Sequence, residues 1–300
     1  MHKSAKWIVV LVALLLLPVV CMPGLAEANS GNNLALDLVI VIDQSSSMGY
    51  IDVSTGQPHK DGSDPRGYRL DAASIMLGMC DVQDSRAALV LFNKVIETKR
   101  AYTNKFFDIS MLSGSGTREK MVQMLSKLNR ENAVASDTDI GLALKRAVQI
   151  ITDDPSERQP VILLLTDGDF ATTAPRTVTQ SIAEFDEAAA EAVQRGIKVY
   201  TIALSSGKVY DTTRLSDLAQ ASGGLFRSVS SVVDLPEIFN DFFAHEIGSD
   251  VVSLKGQAVA LENGQMGVNI VIPNKSVSEA NIMIASSHLS NIQLYQPGVA

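Results

Sequence analysis

Apolar runs and amphipathic stretches alternate along this chain from residue 36 to residue 247. Short, nearly continuous apolar runs are typical of strands that are buried on both faces of a sheet. The predicted strands cover residues 36–43, 86–93, 160–169, 197–205 and 224–229. Between them, apolar residues recur at the three- and four-residue spacing of helices. The predicted helices cover residues 70–80, 117–128, 138–153, 181–195, 213–223 and 233–247.

This alternation predicts a doubly wound α/β domain over residues 36–247. Strands that are apolar on both faces need helices on each side of a mostly parallel sheet. The more polar, alternating segment 95–103 is typical of an edge strand, and we expect one antiparallel strand at the edge. Ser181 and Glu184 have the spacing of a capping box, which predicts a helix start at Ser181.

Residues 250–300 have a different pattern. They alternate in short runs without a helical period, and Asn263-Gly264 and Pro273-Asn274 are turn signals. Three or four antiparallel strands are therefore predicted. Fifty residues of strand make a small core, so these strands either pack on the α/β domain or belong to a further domain. We favour the second interpretation, in which residues 250–300 begin, or are an incomplete part of, a second domain.

The N-terminus has the pattern of a secretory signal peptide. Lys3 and Lys6 precede an apolar run over residues 7–20, and Ala26-Glu27-Ala28 has the small-x-small form of a cleavage site. We expect cleavage of residues 1–28, a linker over 29–35, and a secreted or cell-surface protein. The alternative is an uncleaved anchor, although the run is short for a membrane span. Membrane attachment is expected only with an uncleaved signal or an anchor in a longer chain.

Charge and cysteine content argue against a nucleic-acid partner and against an internal disulfide. A net charge of −8 over 300 residues argues against a nucleic-acid partner. Removal of the signal peptide also removes Cys21 and leaves Cys80, so no internal disulfide is expected. Cys80 lies in an apolar helical stretch and is expected to be a buried small hydrophobic residue.

Candidate chemistry lies where the apolar strands end. Asp43 and Asp167 each end a strongly apolar run, and the binding crevice of an open parallel sheet lies beyond the carboxyl ends of its strands. Ser45 and Ser47 follow Asp43 at alternate positions, and Thr138 lies at a predicted helix start. We therefore expect two carboxylates and three hydroxyls from three segments to converge at this edge.

All of these donors are hard oxygens. Such a set suits Mg²⁺, with Mn²⁺ or Ca²⁺ as alternatives, and suits zinc or copper poorly. Mg²⁺ keeps some of its waters in protein sites. A position on the ion is therefore available to a carboxylate from an Asp or Glu of another protein.

At these positions the chain resembles von Willebrand factor type A domains, including the inserted domain of integrins. The resemblance covers about residues 36–245 and includes the family's metal-ion-dependent adhesion site, an Asp-x-Ser-x-Ser motif, a distant Thr and an Asp in a Thr-Asp-Gly turn. The matching positions are Asp43, Ser45, Ser47, Thr138 and Asp167. The resemblance implies that the hydroxyls contact the metal directly or through water and that the aspartates often act through water.

Two features depart from the family pattern. Ser46 stands where the family usually has glycine, and a polar insertion over residues 50–69 directly follows the site. We expect the insertion to hang over the crevice, where it either sets ligand choice or shields the metal. Asp137, Asp139 and Asp169 flank the site and are expected to cap helices or tune the local field.

These features together predict an extracellular or cell-surface binding module that captures an acidic residue of a protein ligand, without enzymatic activity. One alternative is a structural or self-assembly domain in which the metal only orders the loops. The other is a hydrolase that uses a metal-activated water. Ser45 lacks the Gly-x-Ser-x-Gly setting of a hydrolase nucleophile, and no catalytic residue is predicted.

Overall fold

The computed structural model describes fifteen segments of the chain. They are residues 8–14, 35–49, 55–57, 62–80, 84–92, 107–113, 116–128, 137–168, 170–204, 211–230, 234–247, 250–253, 259–260, 266–267 and 279–285. The chain divides into two compact units. The larger is Asn32–Phe242, and the smaller combines Met1–Gly31 with Phe243–Ala300.

Strands and helices alternate through most of the described chain. The strands are β1 (Ile8–Leu14), β2 (Leu36–Asp43), β3 (Arg86–Phe92), β4 (Phe107–Met111), β5 (Gln159–Thr166), β6 (Lys198–Leu204), β7 (Phe226–Val229), β8 (Asp250–Ser253), β9 (Val259–Ala260), β10 (Met266–Gly267) and β11 (Glu279–Ala285). The helices are α1 (Tyr68–Met79), α2 (Thr117–Leu128), α3 (Ile140–Asp153), α4 (Val178–Gln194), α5 (Thr213–Ser222) and α6 (Leu235–Ile247).

The larger unit contains a six-stranded sheet in the order β4-β3-β2-β5-β6-β7. Every neighbouring pair is parallel except β3 with β4. The predicted α/β class, with a mostly parallel sheet and one antiparallel edge strand, is confirmed. The antiparallel strand is Phe107–Met111, whereas the segment predicted for the edge, 95–103, lies outside the described residues.

The core lies on both faces of this sheet. On one face, the central strands join α3 and α4 in a single buried cluster that includes Val39, Ile162, Leu144 and Phe185. On β6, alternate residues serve the two faces: Val199 belongs to this cluster, while the ring of Tyr200 lies 4.9 Å from that of Phe242 in α6. This period-two alternation explains why apolar residues occupy consecutive positions in the central strands. Cys80 is buried, as expected.

The predicted start of α4 is wrong by three residues. The helix begins at Val178, and Thr177 is its N-cap. The Thr177 hydroxyl accepts a hydrogen bond from the Gln180 amide (3.2 Å), and the Gln180 side chain accepts one from the Thr177 amide (2.9 Å). Thr177 and Ser181 both begin a capping-box spacing in the sequence. Ser181 is instead buried and donates to Asp139 (2.7 Å), so a contact with another segment determined the choice.

Helices α3 and α4 approach each other closely at Gly141. A Cβ added to Gly141 would lie 1.8 Å from the main-chain oxygen of Ser181. We expect Gly141→Ala to lower the free energy of unfolding by about 1–3 kcal/mol, because the overpacked contact outweighs alanine's helix preference. Urea unfolding measures this change. The matched control is Gly78→Ala in α1, where an added Cβ meets nothing within 4 Å. Equal effects of the two substitutions would contradict the assignment of Gly141 to a packed crossing.

A buried ion pair joins the starts of β2 and β3. Arg86 donates through Nε and Nη2 to the two carboxylate oxygens of Asp37, at 2.7 Å each. Asp154 adds a second acceptor at 2.8 Å, and the hydrogen bond to Asp37 is the main cause of the raised pKa of Arg86. This pairing accounts for two charges within apolar strands, at the end of the sheet opposite Asp43.

The smaller unit contains only antiparallel pairs among its described strands. β1 lies between β11 and β8, and β9 pairs with β10. Four described strands lie within residues 250–300, but among them only β9 and β10 pair with each other, and a second domain over 250–300 stays a prediction. β1 falls within the predicted signal peptide, and its removal from the mature protein stays a prediction. The described helices include none with the length and apolarity needed to cross a membrane.

Candidate metal centre

The sheet brings the two candidate carboxylates to the same edge. β2 and β5 are parallel neighbours, with Ile42 level with Leu165. Asp43 ends β2, and Asp167 directly follows β5. Both side chains are buried, at 0% and 2% exposure. Both acids therefore lie at the carboxyl ends of parallel strands, as the sequence indicated, while the structure alone shows that the two strands are neighbours.

Asp43 organises the turn that follows it. Its Oδ1 accepts a hydrogen bond from the main-chain amide of Ser45 (2.7 Å), and its Oδ2 accepts one from the Thr166 hydroxyl (2.7 Å). A carboxylate that binds the amide two residues ahead forms a tight local turn. One turn of 3-10 helix, Ser46–Met48, follows. The chain thereby brings the Ser45 and Ser47 hydroxyl oxygens to 2.8 Å from each other.

The surroundings of Asp43 disfavour its ionised form. Burial raises the pKa of Asp43 to about 7, and the nearby charge of Asp167 contributes to the rise. Hydrogen bonds from Ser45 and Thr166 oppose this shift but do not cancel it. Among the ion pairs of the described residues, none involves Asp43 or Asp167. A divalent cation is the kind of charge that would offset the repulsion between the two acids.

The donor chemistry fits a hard cation. Two carboxylates and the paired Ser45 and Ser47 hydroxyls offer oxygen ligands only, as Mg²⁺ and Ca²⁺ prefer. In the described part of the chain, no cluster of three or more His, Cys, Asp or Glu side chains could hold a metal. A site at this edge therefore depends on its hydroxyl groups as much as on its acids.

Thr138 lies in a third loop that is tied to the segment after Asp167. Its main chain pairs with that of Ala171, with the Thr138 amide 2.6 Å from the Ala171 oxygen. Asp137 strengthens this connection, because its Oδ2 accepts hydrogen bonds from the amide (2.8 Å) and hydroxyl (2.9 Å) of Thr173. Thr138 is 3% exposed. The loop that carries Thr138 is thus held beside the loop that follows β5.

The flanking acids have partners of their own. Asp139 is the N-cap of α3 and accepts from the Leu142 amide (3.2 Å), as its position predicted. Its carboxylate also forms an ion pair with Arg176. Asp137 is engaged with Thr173, while Asp169 lies outside the described residues.

Sequence reasoning missed a further contact to the site. Ser63 lies in the 50–69 insertion, and its hydroxyl donates to Oδ2 of Asp167 (3.2 Å). From the same insertion, Arg69 donates through Nε to the main-chain oxygen of Asp43 (3.0 Å). The described end of the insertion therefore contacts the site directly, and the position of the rest of the insertion over the crevice stays a prediction. Residues 50–54 and 58–61 of the insertion lie outside the described residues.

The sequence carries a local signal for the helix that follows Ser63, but none for the contact itself. Asp64-Pro65 lies just before an apolar helical stretch, which is typical of a helix start. Asp64 indeed accepts from the amides of Tyr68 and Arg69, at 2.9 Å each, at the beginning of α1. The signal locates the helix start, but it carries no information on the distance between Ser63 and Asp167.

Comparisons with known proteins agree with the fold. The von Willebrand factor type A domain family matches residues 37–241. Similar solved structures include the pilus adhesin SpaC from Lactobacillus rhamnosus GG (TM-score 0.52, 14% identity, covering 74% of this chain and 32% of that one). They also include the PilB minor pilin from Streptococcus sanguinis (0.51, 18%, 72% and 62%) and proximal thread matrix protein 1 from the mussel byssus (0.50, 18%, 74% and 47%).

The present chain thus spans between 32% and 62% of the length of these structural relatives. At these identities the likeness is one of fold. A search of curated protein sequences found no match to the chain.

Proposed function

Because this chain belongs to the von Willebrand factor type A domain family, we propose that its α/β domain binds a divalent cation and thereby captures a protein ligand. The proposed metal is Mg²⁺, with Mn²⁺ and Ca²⁺ as alternatives. The ligand presents an Asp or Glu carboxylate. The residues proposed to hold the metal are Asp43, Ser45, Ser47, Thr138 and Asp167.

The observation that carries this proposal is the pair of buried acids at the sheet edge. Asp167 is close enough for its charge to raise the pKa of Asp43, and the paired hydroxyls of Ser45 and Ser47 adjoin them. Like charges that are buried without a basic partner cost free energy. When bound, the cation supplies positive charge and an electrophilic position that accepts a carboxylate oxygen of the ligand.

Hydrogen bonds within the chain hold the proposed metal ligands in place before the ion binds. Thr166 and the Ser45 amide each donate to one oxygen of Asp43, which fixes the orientation of its carboxylate. The Asp43 carboxylate in turn holds the turn that carries Ser45 and Ser47. Ligand oxygens held in place before the ion arrives lose little conformational freedom on binding.

We also propose that the protein acts outside the cell. The support is the signal-peptide pattern of residues 1–28. Proteins named a pilus adhesin and a minor pilin share the fold, which is compatible with this location. The acidic net charge of −8 supports a protein partner over nucleic acid.

Thermal unfolding of the full chain tests the metal-binding part of the proposal. We expect the melting temperature to rise progressively with Mg²⁺, Mn²⁺ or Ca²⁺, because an ion that binds only the folded state stabilises it by mass action. EDTA should reverse the rise, and Na⁺ at matched ionic strength should not reproduce it. A melting temperature indifferent to all three divalent ions would contradict the proposal.

Carboxylate capture is tested on the Mn²⁺-loaded chain. The relaxation rate of water protons should fall when a short Asp-containing peptide displaces water from the Mn²⁺ ion. The matched Asn-containing peptide should leave this rate unchanged. If the peptide has no effect and the chain self-associates in a metal-dependent manner, the assembly alternative replaces ligand capture. Sedimentation velocity with Mg²⁺ and with EDTA measures that self-association.

A further inference from the structure

Residues 62–69, the end of the polar insertion, pack main chain to main chain against the turn that carries Ser45 and Ser47. The Ser63 amide donates to the Ser47 oxygen (2.8 Å), and the Asp64 amide donates to the Met48 oxygen (2.7 Å). Two glycines permit this approach, since a Cβ on Gly62 would lie 2.4 Å from the Cα of Gly49. This contact orients the Ser63 side chain toward the candidate metal centre.

A buried ion pair holds residues 62–69 in place. Asp64 is 0% exposed and Arg69 is 2% exposed, and Arg69 Nη1 donates to Asp64 Oδ2 at 2.9 Å. The same guanidinium donates to the main-chain oxygen of Asp43 (3.0 Å) and to the side chain of Gln44 (3.0 Å). One arginine therefore connects the insertion to the end of β2, where the candidate site begins.

The Ser63 hydroxyl joins two of the segments that carry candidate ligands. It lies 3.2 Å from Oδ2 of Asp167 and 3.2 Å from the main-chain oxygen of Ser47. A hydroxyl has one proton, and both distances exceed the roughly 2.7–2.8 Å that is usual for O–H···O bonds. The Asp167 carboxylate and the Ser47 oxygen therefore compete for this proton. Through it, the loop after β5 is linked to the turn after β2.

We propose that Ser63 is a positioning residue of the metal site, whose hydroxyl holds the Asp167 carboxylate beside the Ser45–Ser47 turn. This inference rests on the proposed metal-binding function and adds a fourth segment to the three that the family motif supplies. Ser63 acts through Asp167 and does not replace any of the five proposed ligands.

The physical reason is the repulsion between the two buried acids. Without the Ser63 donor, the Asp167 carboxylate loses a contact that restrains its rotation, and binding of the cation must then offset more of the entropy lost when the carboxylate is fixed. A hydrogen bond to Oδ2 reduces that freedom and partly neutralises the charge. Groups that hydrogen-bond to metal ligands commonly change the metal affinity by about tenfold or more when they are removed.

Isothermal titration of the full chain with Mg²⁺ tests the role of Ser63. We expect Ser63→Ala to weaken Mg²⁺ binding by about tenfold. Ser63→Thr, which keeps the hydroxyl, should restore the affinity to within about twofold, because it retains the donor. Ser63→Cys has nearly the same size and a weaker donor, so its affinity should fall between those of the other two variants.

The matched control is Ser74→Ala. Ser74 lies on α1, is partly buried like Ser63, and donates to the Leu70 oxygen (2.8 Å). It has no hydrogen bond to the metal site, so its loss should leave Mg²⁺ affinity unchanged. The melting temperature of each variant in EDTA separates a loss of metal affinity from a general loss of stability.

The possible negative results have two different meanings. If wild-type protein binds Mg²⁺ and Ser63→Ala binds it equally well, the role of Ser63 is overturned while the metal site stands. The role of Ser63 is likewise overturned if Ser63→Thr binds as weakly as Ser63→Ala. If wild-type protein itself does not bind Mg²⁺, the proposed function fails first and the inference fails with it.

Discussion

Asp43→Asn is expected to abolish the metal-dependent rise in melting temperature while leaving the metal-free protein at least as stable as wild type. Burial and the charge of Asp167 disfavour the ionised Asp43 side chain, which is why its pKa rises to about 7. A neutral amide removes that cost. Its oxygen can still accept from the Ser45 amide, and its NH₂ group can donate to the Thr166 hydroxyl, because a hydroxyl both donates and accepts.

The expected loss can be estimated by mass action. At a metal concentration one hundred times the dissociation constant, wild-type protein gains about 2.7 kcal/mol of stability. For a domain of this size, that gain raises the melting temperature by about 5–11 °C. The Asn variant should show almost none of this rise when the two proteins are heated with Mg²⁺ and with EDTA. Relative to wild type, the Asn variant should melt at a lower temperature in Mg²⁺ and at an equal or higher temperature in EDTA. An acid that does not bind the metal would not show this dependence on Mg²⁺.

Asp217→Asn is the control for the change in charge. Asp217 is exposed on α5, so its substitution removes the same formal charge without touching the site. It should leave the metal-dependent rise intact. If Asp43→Asn kept the full rise, or strongly destabilised the protein in EDTA, the carboxylate of Asp43 would have a structural role and not a metal-binding one.

Arg69→Met is expected to lower the free energy of unfolding by about 3–5 kcal/mol, since it leaves a buried carboxylate without its partner. Arg69 makes four side-chain hydrogen bonds, two of them to Asp64 and the others to Asp43 and Gln44. Residues 62–69 should then be held less firmly, and Mg²⁺ affinity should fall as well. Urea unfolding in EDTA and titration with Mg²⁺ measure the two effects separately.

An exposed ion pair provides the matched control. Arg214 pairs with Asp186, and both side chains are at least 44% exposed. Arg214→Met should cost no more than about 1 kcal/mol, as is usual for surface pairs. In the double variant Asp64→Asn with Arg69→Met, part of the loss should return, because the unpaired charge is removed. Equal losses for Arg69→Met and Arg214→Met would contradict a stabilising role for the buried pair.

The sequence predicted most of the sheet because its strands are apolar on both faces. A run such as Leu36–Asp43 is buried at every position, and only a covered parallel sheet accepts such a run. The helix Thr117–Leu128 was also predicted with its observed bounds, since its apolar residues recur at helical spacing over that range. The start of α4 was predicted wrongly because Thr177 and Ser181 satisfy the same capping rule.

The candidate site was partly predictable for a similar reason. Asp43, Ser45 and Ser47 are neighbours in the chain, so a single turn can bring them together. Asp167 could be added because the carboxyl ends of parallel strands lie at one edge of a sheet. The contact of Ser63 with Asp167 spans 104 residues and follows no periodic pattern. It depends on the packing of an irregular segment.

The sequence alone determined the order of the elements, the class of the sheet and the edge at which acids and hydroxyls meet. These properties follow from local periodicity and from the geometry of parallel strands. Tertiary structure alone decided that Ser181 packs against α3, that Arg69 ties the insertion to the end of β2, and that Ser63 reaches Asp167. Each of these contacts satisfies a polar group by a partner far away in the chain, and such partners are chosen by the packing of the whole domain.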